Sequence, residues 1–141
     1  MVTGAAVAFV GTGPGDPALL TLAAVDALRH ADVVVTDQLT PLSVVTGHAR
    51  PGVEIIDASH GDHGQELTHA SRAKLVVQAA KDHPGGRIVR LMDGDPTIFN
   101  GLAEEAQACR RAGIVIDIVP GVSAVTAVPA YAGVPLTSPA C

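Results

Sequence analysis

The sequence is poor in aromatic and basic residues, and both shortages exclude a class of partner. Among its 141 residues are two Phe, one Tyr and no Trp, and nine Lys and Arg stand against 14 Asp and Glu, which gives a formal net charge of −5. Nucleic-acid binding needs a basic footprint or aromatic side chains on which bases stack. The basic residues here are scattered singly, so we expect no nucleic-acid partner.

Cysteines, metal-ligand spacings and long apolar runs are also scarce. Cys109 and Cys141 give no disulfide framework, which favours a reducing compartment. The six histidines never recur at i, i+4, so we expect no metal site. No apolar run approaches the roughly 18 residues that span a bilayer, and no positively charged start precedes an apolar segment. These absences predict a cytoplasmic protein that does not bind membranes.

Apolar residues, in contrast, make up 48% of the chain, enough for one hydrophobic core in a single domain of residues 1–141. Short β-branched runs alternate with helical patterns. The predicted strands are Val7–Val10, Val33–Val35, Val53–Ile56, Ile88–Met92 and Val115–Val119. The predicted helices are Leu20–Ala31, Pro41–Thr46, Glu66–Lys81, Leu102–Ala112 and Ser123–Ala132. This alternation predicts an α/β fold, a five-stranded and mainly parallel sheet with helices on both faces.

A glycine-rich turn, Gly11–Pro17, joins the first strand to the first helix. Glycine lets backbone approach a ligand closely. A dinucleotide-binding fingerprint would have its third glycine at position 16, where this chain has Asp16, and the Lys-Ser/Thr pair of a phosphate loop is missing. The turn therefore disfavours a nucleotide phosphate. The alternative is a tight turn shaped by its prolines, with Asp16 near the start of the helix.

In parallel sheets, ligands collect beyond the carboxyl ends of the strands. The turns predicted there are Gly11–Asp16, Thr36-Asp37, Asp93–Pro96 and Pro120–Ser123, and three of the four contain carboxylates. Because an ionised carboxylate only accepts hydrogen bonds, this rim suits a ligand with positive charge or hydroxyl donors. S-adenosylmethionine has a sulfonium, an amino group and two ribose hydroxyls. The same aspartates are also ordinary helix caps and turn residues.

Several of these segments, in this order, resemble the motifs of the tetrapyrrole methylase family. The likeness is carried by Gly11–Thr21, Ala31–Asp37, Val89–Phe99, Glu104-Glu105, Val119–Ala124 and Ala130–Thr137. It covers nearly the whole chain and is strongest to the family's uroporphyrinogen-III C-methyltransferases. The resemblance implies an S-adenosylmethionine-dependent enzyme of two α/β domains with the cofactor between them, of which residues 1–141 resemble the first.

The resemblance also implies roles for individual residues. Its cofactor-contacting positions fall on Pro14, Asp93, Gly94, Asp95, Ile98, Ser123 and Ala124. Asp37 stands at the position of the proton acceptor, whereas without the resemblance we would interpret it as a strand-end cap. The implied reaction methylates carbons of uroporphyrinogen III to give precorrin-2, on the route to sirohaem or cobalamin, and releases S-adenosylhomocysteine.

Three departures from the family pattern leave alternatives open. Ser59 stands near the expected proton-donating lysine, with His60 as a possible substitute, and Asp93 replaces the first glycine of the usual Gly-Gly-Asp turn. Phe99–Ala103 stands where the family has Phe-Gly-Arg-Gly-Gly, so the chain lacks an arginine that would meet substrate carboxylates. Such departures resemble variants fused to a uroporphyrinogen-III synthase domain. One alternative is a non-catalytic structural or dimerisation module, and another is a methylase of a different corrin carbon or of diphthamide.

The two-domain resemblance has two further consequences for this chain. If the active site lies between two domains, the isolated chain should show negligible turnover. The apolar surface that would face the second domain should be exposed, and such patches mark interaction sites. We therefore expect self-association, most simply as a homodimer.

Overall fold

In the computed structural model of the protein, residues 6–37 and 40–139 are described, and Cys141 lies outside them. The strands are β1 (Val7–Gly11), β2 (Val33–Thr36), β3 (Glu54–Asp57), β4 (Ile88–Met92) and β5 (Ile116–Val119). The helices are α1 (Leu22–Arg29), α2 (Leu42–His48), α3 (His69–Asp82), α4 (Leu102–Arg111) and α5 (Ala124–Ala132), and a 3₁₀ turn covers Pro17–Leu19.

The five strands form one sheet in the order β3-β2-β4-β1-β5, and every pairing is parallel. The predicted α/β fold is therefore confirmed. In β1, Val7 lies opposite Ile88 of β4 on one side and Ile116 of β5 on the other. This register brings the carboxyl ends of β4, β1 and β5 together at one edge.

Helices cover both faces of the sheet, as predicted. Because successive strand side chains point to opposite faces, Phe9 packs with the α3 and α4 side while Val10 packs with the α1 and α2 side. Val76 of α3 and Leu28 of α1 are fully buried in these two clusters. Both faces of the central strands are thus removed from water, which explains their almost continuous apolar sequence.

Two predicted helix starts are wrong, and caps explain both. The first helix does not begin at Leu20, because Asp16 caps a separate 3₁₀ turn and the Thr21 hydroxyl then caps α1. The third helix begins at His69 rather than Glu66, because the Thr68 side chain accepts from the N–H of Ser71. The interpretation of Asp16 as a turn residue near a helix start is confirmed.

Burial and the Glu105 carboxylate raise the pKa of the Cys109 thiol to about 11, which makes this cysteine a core residue rather than a reactive one. No group of three or more His, Cys, Asp or Glu within residues 6–37 and 40–139 is arranged to hold a metal ion. Over the same residues, no helix is both long and apolar enough to cross a membrane.

Candidate active site

Three backbone segments meet in close contact at the carboxyl edge of the sheet. The N–H of Gly13 donates to the Gly94 carbonyl at 3.1 Å, and the N–H of Gly94 donates back to Gly13 at 2.9 Å. A Cβ at Gly121 would lie 2.1 Å from the Gly94 oxygen, and one at Gly11 would lie 2.5 Å from it. The loops after β1, β4 and β5 can therefore pack this closely only with glycine at these positions.

Asp95 fastens two of these loops to each other. Its Oδ1 accepts from the N–H of Gly121 at 2.9 Å, and its Oδ2 accepts from the N–H of Thr97 at 2.9 Å and from the Thr97 hydroxyl. Desolvation favours a higher pKa for Asp95, but the hydrogen bonds from Thr97 and Gly121 outweigh it and lower the pKa. Both carboxylate oxygens thus have partners within the protein, and Asp95 shapes the turn after β4.

A buried ion pair lies beneath the predicted proton acceptor. Arg90 in β4 donates from Nε and Nη2 to the two carboxylate oxygens of Glu105 in α4, at 2.7 and 3.2 Å, and from Nη1 to the Leu91 carbonyl at 2.6 Å. Both charged side chains are fully buried. The Nη1 atom also lies 3.7 Å from Oδ2 of Asp37. The protein thereby places a fixed guanidinium beside Asp37.

Asp93 follows β4 directly and keeps its side chain accessible to solvent. Its pKa is raised by partial desolvation and by the negative charge of Asp37, while the N–H of Gly94 opposes the shift. The two carboxylates therefore belong to one electrostatic neighbourhood. A cation between them would relieve their repulsion.

The remaining predicted cofactor positions border the same edge. Ser123 caps α5, its Oγ accepting from the N–H of Val125 at 3.2 Å, and Ala124 is the first residue of that helix. Ile98 donates its N–H to the Asp95 carbonyl at 3.1 Å. Pro14 is half-buried and directly follows the Gly13 that pairs with Gly94. The structure thus places every predicted site residue at the carboxyl edge.

The position of the missing lysine lies beside Asp37. Ser59 and Asp37 line one cleft of about 350 Å³. Ser59 is buried and donates its N–H to Oδ1 of Asp57 at 2.8 Å, and the pKa of Asp57 is lowered by hydrogen bonds from the Ser59 side chain and backbone. His60 is exposed and pairs with Glu66 in a short bridge. Ser59 is therefore a turn residue of the loop after β3.

Sequence reasoning included Arg90 and Glu105 in the family motifs but assigned them no role. The signal for their pairing was available, because Arg90 lies in the middle of a strand predicted to be buried on both faces, where a charge requires a partner. Asn100 was also missed as a structural residue. Its Nδ2 donates to the carbonyls of Asp93 and Asp95, at 2.7 Å each, and of Ile98, at 3.1 Å.

The donor set fits a cationic ligand with hydroxyl groups. Asp37 and Asp93 supply carboxylates, and the guanidinium of Arg90 is engaged by Glu105. A phosphate would meet like charge here, whereas a sulfonium, an amino group or a ribose hydroxyl would meet acceptors. The edge thus has the chemistry expected for S-adenosylmethionine.

The fold and this edge define a class of α/β protein that takes its ligand at a glycine-lined, acidic sheet edge. Residues 6–141 match the family model for tetrapyrrole (corrin/porphyrin) methylases. The chain belongs to the tetrapyrrole methylase family.

Relatives at the sequence level are sirohaem synthases. That of Yersinia enterocolitica, sirohaem synthase 1, is 45% identical over 134 residues, which cover 93% of this chain and 27% of that protein. Sirohaem synthase 1 of Pectobacterium atrosepticum is 43% identical over 131 residues, with the same two coverages. The chain spans little more than a quarter of the length of these relatives.

Solved structures give the same family. A cobalt precorrin-4 methyltransferase of cobalamin biosynthesis has a TM-score of 0.81 and 29% identity, covering 95% of this chain and 53% of that one. The uroporphyrin-III C-methyltransferase of Thermus thermophilus in complex with S-adenosylhomocysteine has a TM-score of 0.73 and 37% identity, covering 94% and 50%. This chain therefore corresponds to about half of each structure.

Proposed function

We propose that this chain is the cofactor-binding part of an S-adenosylmethionine-dependent C-methyltransferase that acts on uroporphyrinogen III and yields precorrin-2. The observation that carries the proposal is the acidic edge, where Asp37 and Asp93 interact electrostatically and the loops after β1, β4 and β5 meet at closely packed glycines. The relatives support it, since they include sirohaem synthases and a uroporphyrin-III C-methyltransferase complexed with S-adenosylhomocysteine.

In this proposal S-adenosylmethionine supplies an electrophilic methyl group when bound. Pro14, Gly94 and the backbone of Asp93 and Asp95 would border it from the loops after β1 and β4, with Ser123 and Ala124 on the α5 side. The proposed role of these residues is orientation, which in favourable cases is worth up to roughly 7–11 kcal/mol of the barrier.

Asp37 is proposed as the proton acceptor. Transfer of the methyl group to a pyrrole carbon would form a carbon–carbon bond, break the bond between the methyl group and the sulfonium sulfur, and release S-adenosylhomocysteine. The methylated substrate would then have to lose a proton. A carboxylate within reach accepts it. The Arg90 guanidinium, whose Nη1 lies 3.7 Å from Oδ2, supports this role because the ion pair restrains the position of the carboxylate.

Calorimetric titration with S-adenosylhomocysteine tests the cofactor assignment. We expect saturable one-to-one binding, weakened by Asp95→Ala because the loops after β4 and β5 lose their link at Gly121. Asp62→Ala is the matched control, since Asp62 is an exposed loop aspartate. Equal affinities for all three proteins, or no heat at millimolar ligand for any of them, would count against the proposal.

A second candidate function is a non-catalytic structural or dimerisation module, and the Ser59 turn favours it. Where the family has a proton donor, this chain has a buried serine bonded to Asp57. A third candidate function is also methyl transfer from S-adenosylmethionine, but to another corrin carbon or to diphthamide. Methyl transfer from a labelled donor to a panel of acceptors, measured for this chain joined to a second tetrapyrrole methylase domain and for its Ser59→Lys/Asp93→Gly variant, separates the three. Gain of transfer only in the double variant would support the module.

A further inference from the structure

Phe99 is presented to solvent by the loop between β4 and α4. Its side chain is 100% exposed and its φ is +57°, in the left-handed region that bulky residues avoid. The other phenylalanine, Phe9, is fully buried. Core packing therefore does not explain the Phe99 ring, and its backbone is in an unfavourable conformation.

The loop that carries Phe99 is held firmly. The Asn100 amide next to it bonds three carbonyl oxygens of the same loop, and Asp95 bonds Thr97 and the N–H of Gly121. These contacts fix the backbone on both sides of the ring. The backbone position from which the Phe99 ring projects is therefore fixed, and Phe99 is not the tip of a loose segment.

A groove of about 370 Å³ adjoins the ring. Phe99, Leu102 and Ile118 contribute apolar walls, and Arg110 from α4 contributes a guanidinium. Arg110 is exposed, so its charge is available to a ligand in water. Pro96 and Thr97, which directly follow Asp95 in the loop after β4, also line the groove.

We propose that Phe99 and Arg110 form a substrate-binding subsite, in which a pyrrole ring of the tetrapyrrole stacks on Phe99 and a carboxylate on the rim of the macrocycle pairs with Arg110. The subsite rests on the proposed function, since the ligand is its methyl acceptor. An aromatic face beside a cation matches a flat heteroaromatic ring bearing carboxylates, and the net charge of −5 makes a local guanidinium the expected means of attracting such an anion.

Titration of the 141-residue chain with uroporphyrin III, followed by porphyrin absorbance, tests the subsite. Phe99→Asn suits the left-handed backbone and removes the ring, and we expect it to weaken binding about tenfold, the size typical of one lost stacking contact. Phe99→Leu keeps an apolar side chain without a flat face and should weaken binding nearly as much.

Arg110→Gln should weaken binding and make it less sensitive to salt. Val115→Ala, an exposed apolar site at the opposite end of β5, is the control and should bind as the parent does.

The same protein samples are titrated with S-adenosylhomocysteine, which separates this inference from the proposed function. Unchanged cofactor affinity with lost porphyrin affinity in the Phe99 and Arg110 variants supports the subsite. The subsite is overturned if the parent binds no uroporphyrin, or if all variants bind it equally, while cofactor binding leaves the proposed function standing. It is also overturned if Phe99→Asn alters only self-association in sedimentation, because the ring would then serve a second copy of the chain.

Discussion

Strand β4 and helix α5 are both rich in apolar residues, yet β4 is buried and α5 is largely exposed. All five residues of β4 are buried, and even the charge of Arg90 is matched within the chain by Glu105. In α5 only Ala127 is buried, while Val125 and Val128 are 54% and 64% exposed. A helix that is apolar on all sides is normally covered. Within the described residues, β4 is buried on both faces, whereas most of the α5 surface is not covered by any other element.

The largest expected effect is at the centre of the sheet. Arg90→Leu leaves the Glu105 carboxylate buried without its cation, and we expect a loss of about 3–5 kcal/mol in the free energy of unfolding, measured by urea denaturation. Arg90→Leu/Glu105→Leu should recover most of it, since an apolar pair of similar volume removes the unpaired charge. Arg50→Leu is the matched control: its ion pair with Asp32 is largely exposed and should be worth less than about 1 kcal/mol. Equal losses at Arg90 and Arg50 would contradict the account of β4.

A smaller effect is expected at the junction that joins the β4 loop to the start of α5. Gly121→Ala places a Cβ 2.1 Å from the Gly94 carbonyl oxygen, so the two loops must separate. We expect a loss of about 1–3 kcal/mol in unfolding free energy together with weaker S-adenosylhomocysteine binding. Gly47→Ala in α2 meets no neighbouring atom and should instead stabilise the protein by up to about 1 kcal/mol. If Gly121→Ala binds S-adenosylhomocysteine as tightly as the parent does, the close packing of these loops is not needed for cofactor binding.

The centre of the sheet and the loop junction also show which features the sequence predicts and which it does not. The alternation of apolar runs and helical patterns was enough for the strand positions, and the rule for carboxyl ends was enough to place Asp37, Asp93 and Asp95 at one edge. The buried position of Arg90 indicates that it needs an anionic partner, but the sequence does not indicate that this partner is Glu105. A pattern along the chain reports which face a residue takes, but not which side chain of another element meets it there.

Helix boundaries were missed for a related reason. Thr21 and Thr68 each accept a backbone N–H and so fix a start that hydrophobic spacing alone placed earlier. The left-handed backbone of Phe99 had no sequence signal, because a bulky residue rarely adopts this conformation. Roles at the site came from resemblance, and they remain predictions.

At the α5 surface we expect a change in association without a change in stability. Val125→Ser/Val128→Ser replaces two exposed side chains, so unfolding free energy should stay within about 0.5 kcal/mol. The parent chain should self-associate in sedimentation velocity, and the double variant should shift toward monomer. Val115→Ser, exposed at the other end of the sheet, should leave association unchanged. A monodisperse parent monomer would show that this surface needs no cover.

The smallest expected effect concerns the contact between α5 and the β1 loop. The Tyr131 hydroxyl donates to Oδ2 of Asp16 at 3.1 Å, and this hydrogen bond, with desolvation and the Asp16 charge, raises the pKa of Tyr131 above its ordinary value of 10.0. Because the folded pKa is raised, the contact stabilises the fold below pH 10 and is lost as the pH rises through the folded value.

Tyr131 is the only tyrosine in the chain, and there is no tryptophan, so tyrosinate absorbance reports this one group. We expect Asp16→Asn to lower the titration midpoint toward the ordinary value. Asp26→Asn, at an exposed α1 position, is the control and should leave the midpoint unchanged. Identical midpoints in all three proteins would mean that α5 is not tied to the β1 loop in solution.

The strand order has a consequence for how the protein is made. Strand β1 pairs with β4 and β5, and its partner Ile88 lies about 80 residues after Val7 in the chain. At ribosomal rates of about 5–20 residues per second, β1 waits roughly 4–16 seconds after its own synthesis before a partner strand emerges. During that interval neither of the strands that pair with β1 in the folded protein has been made. Because β4 lies between β2 and β1, the sheet becomes continuous only when this late strand has been made.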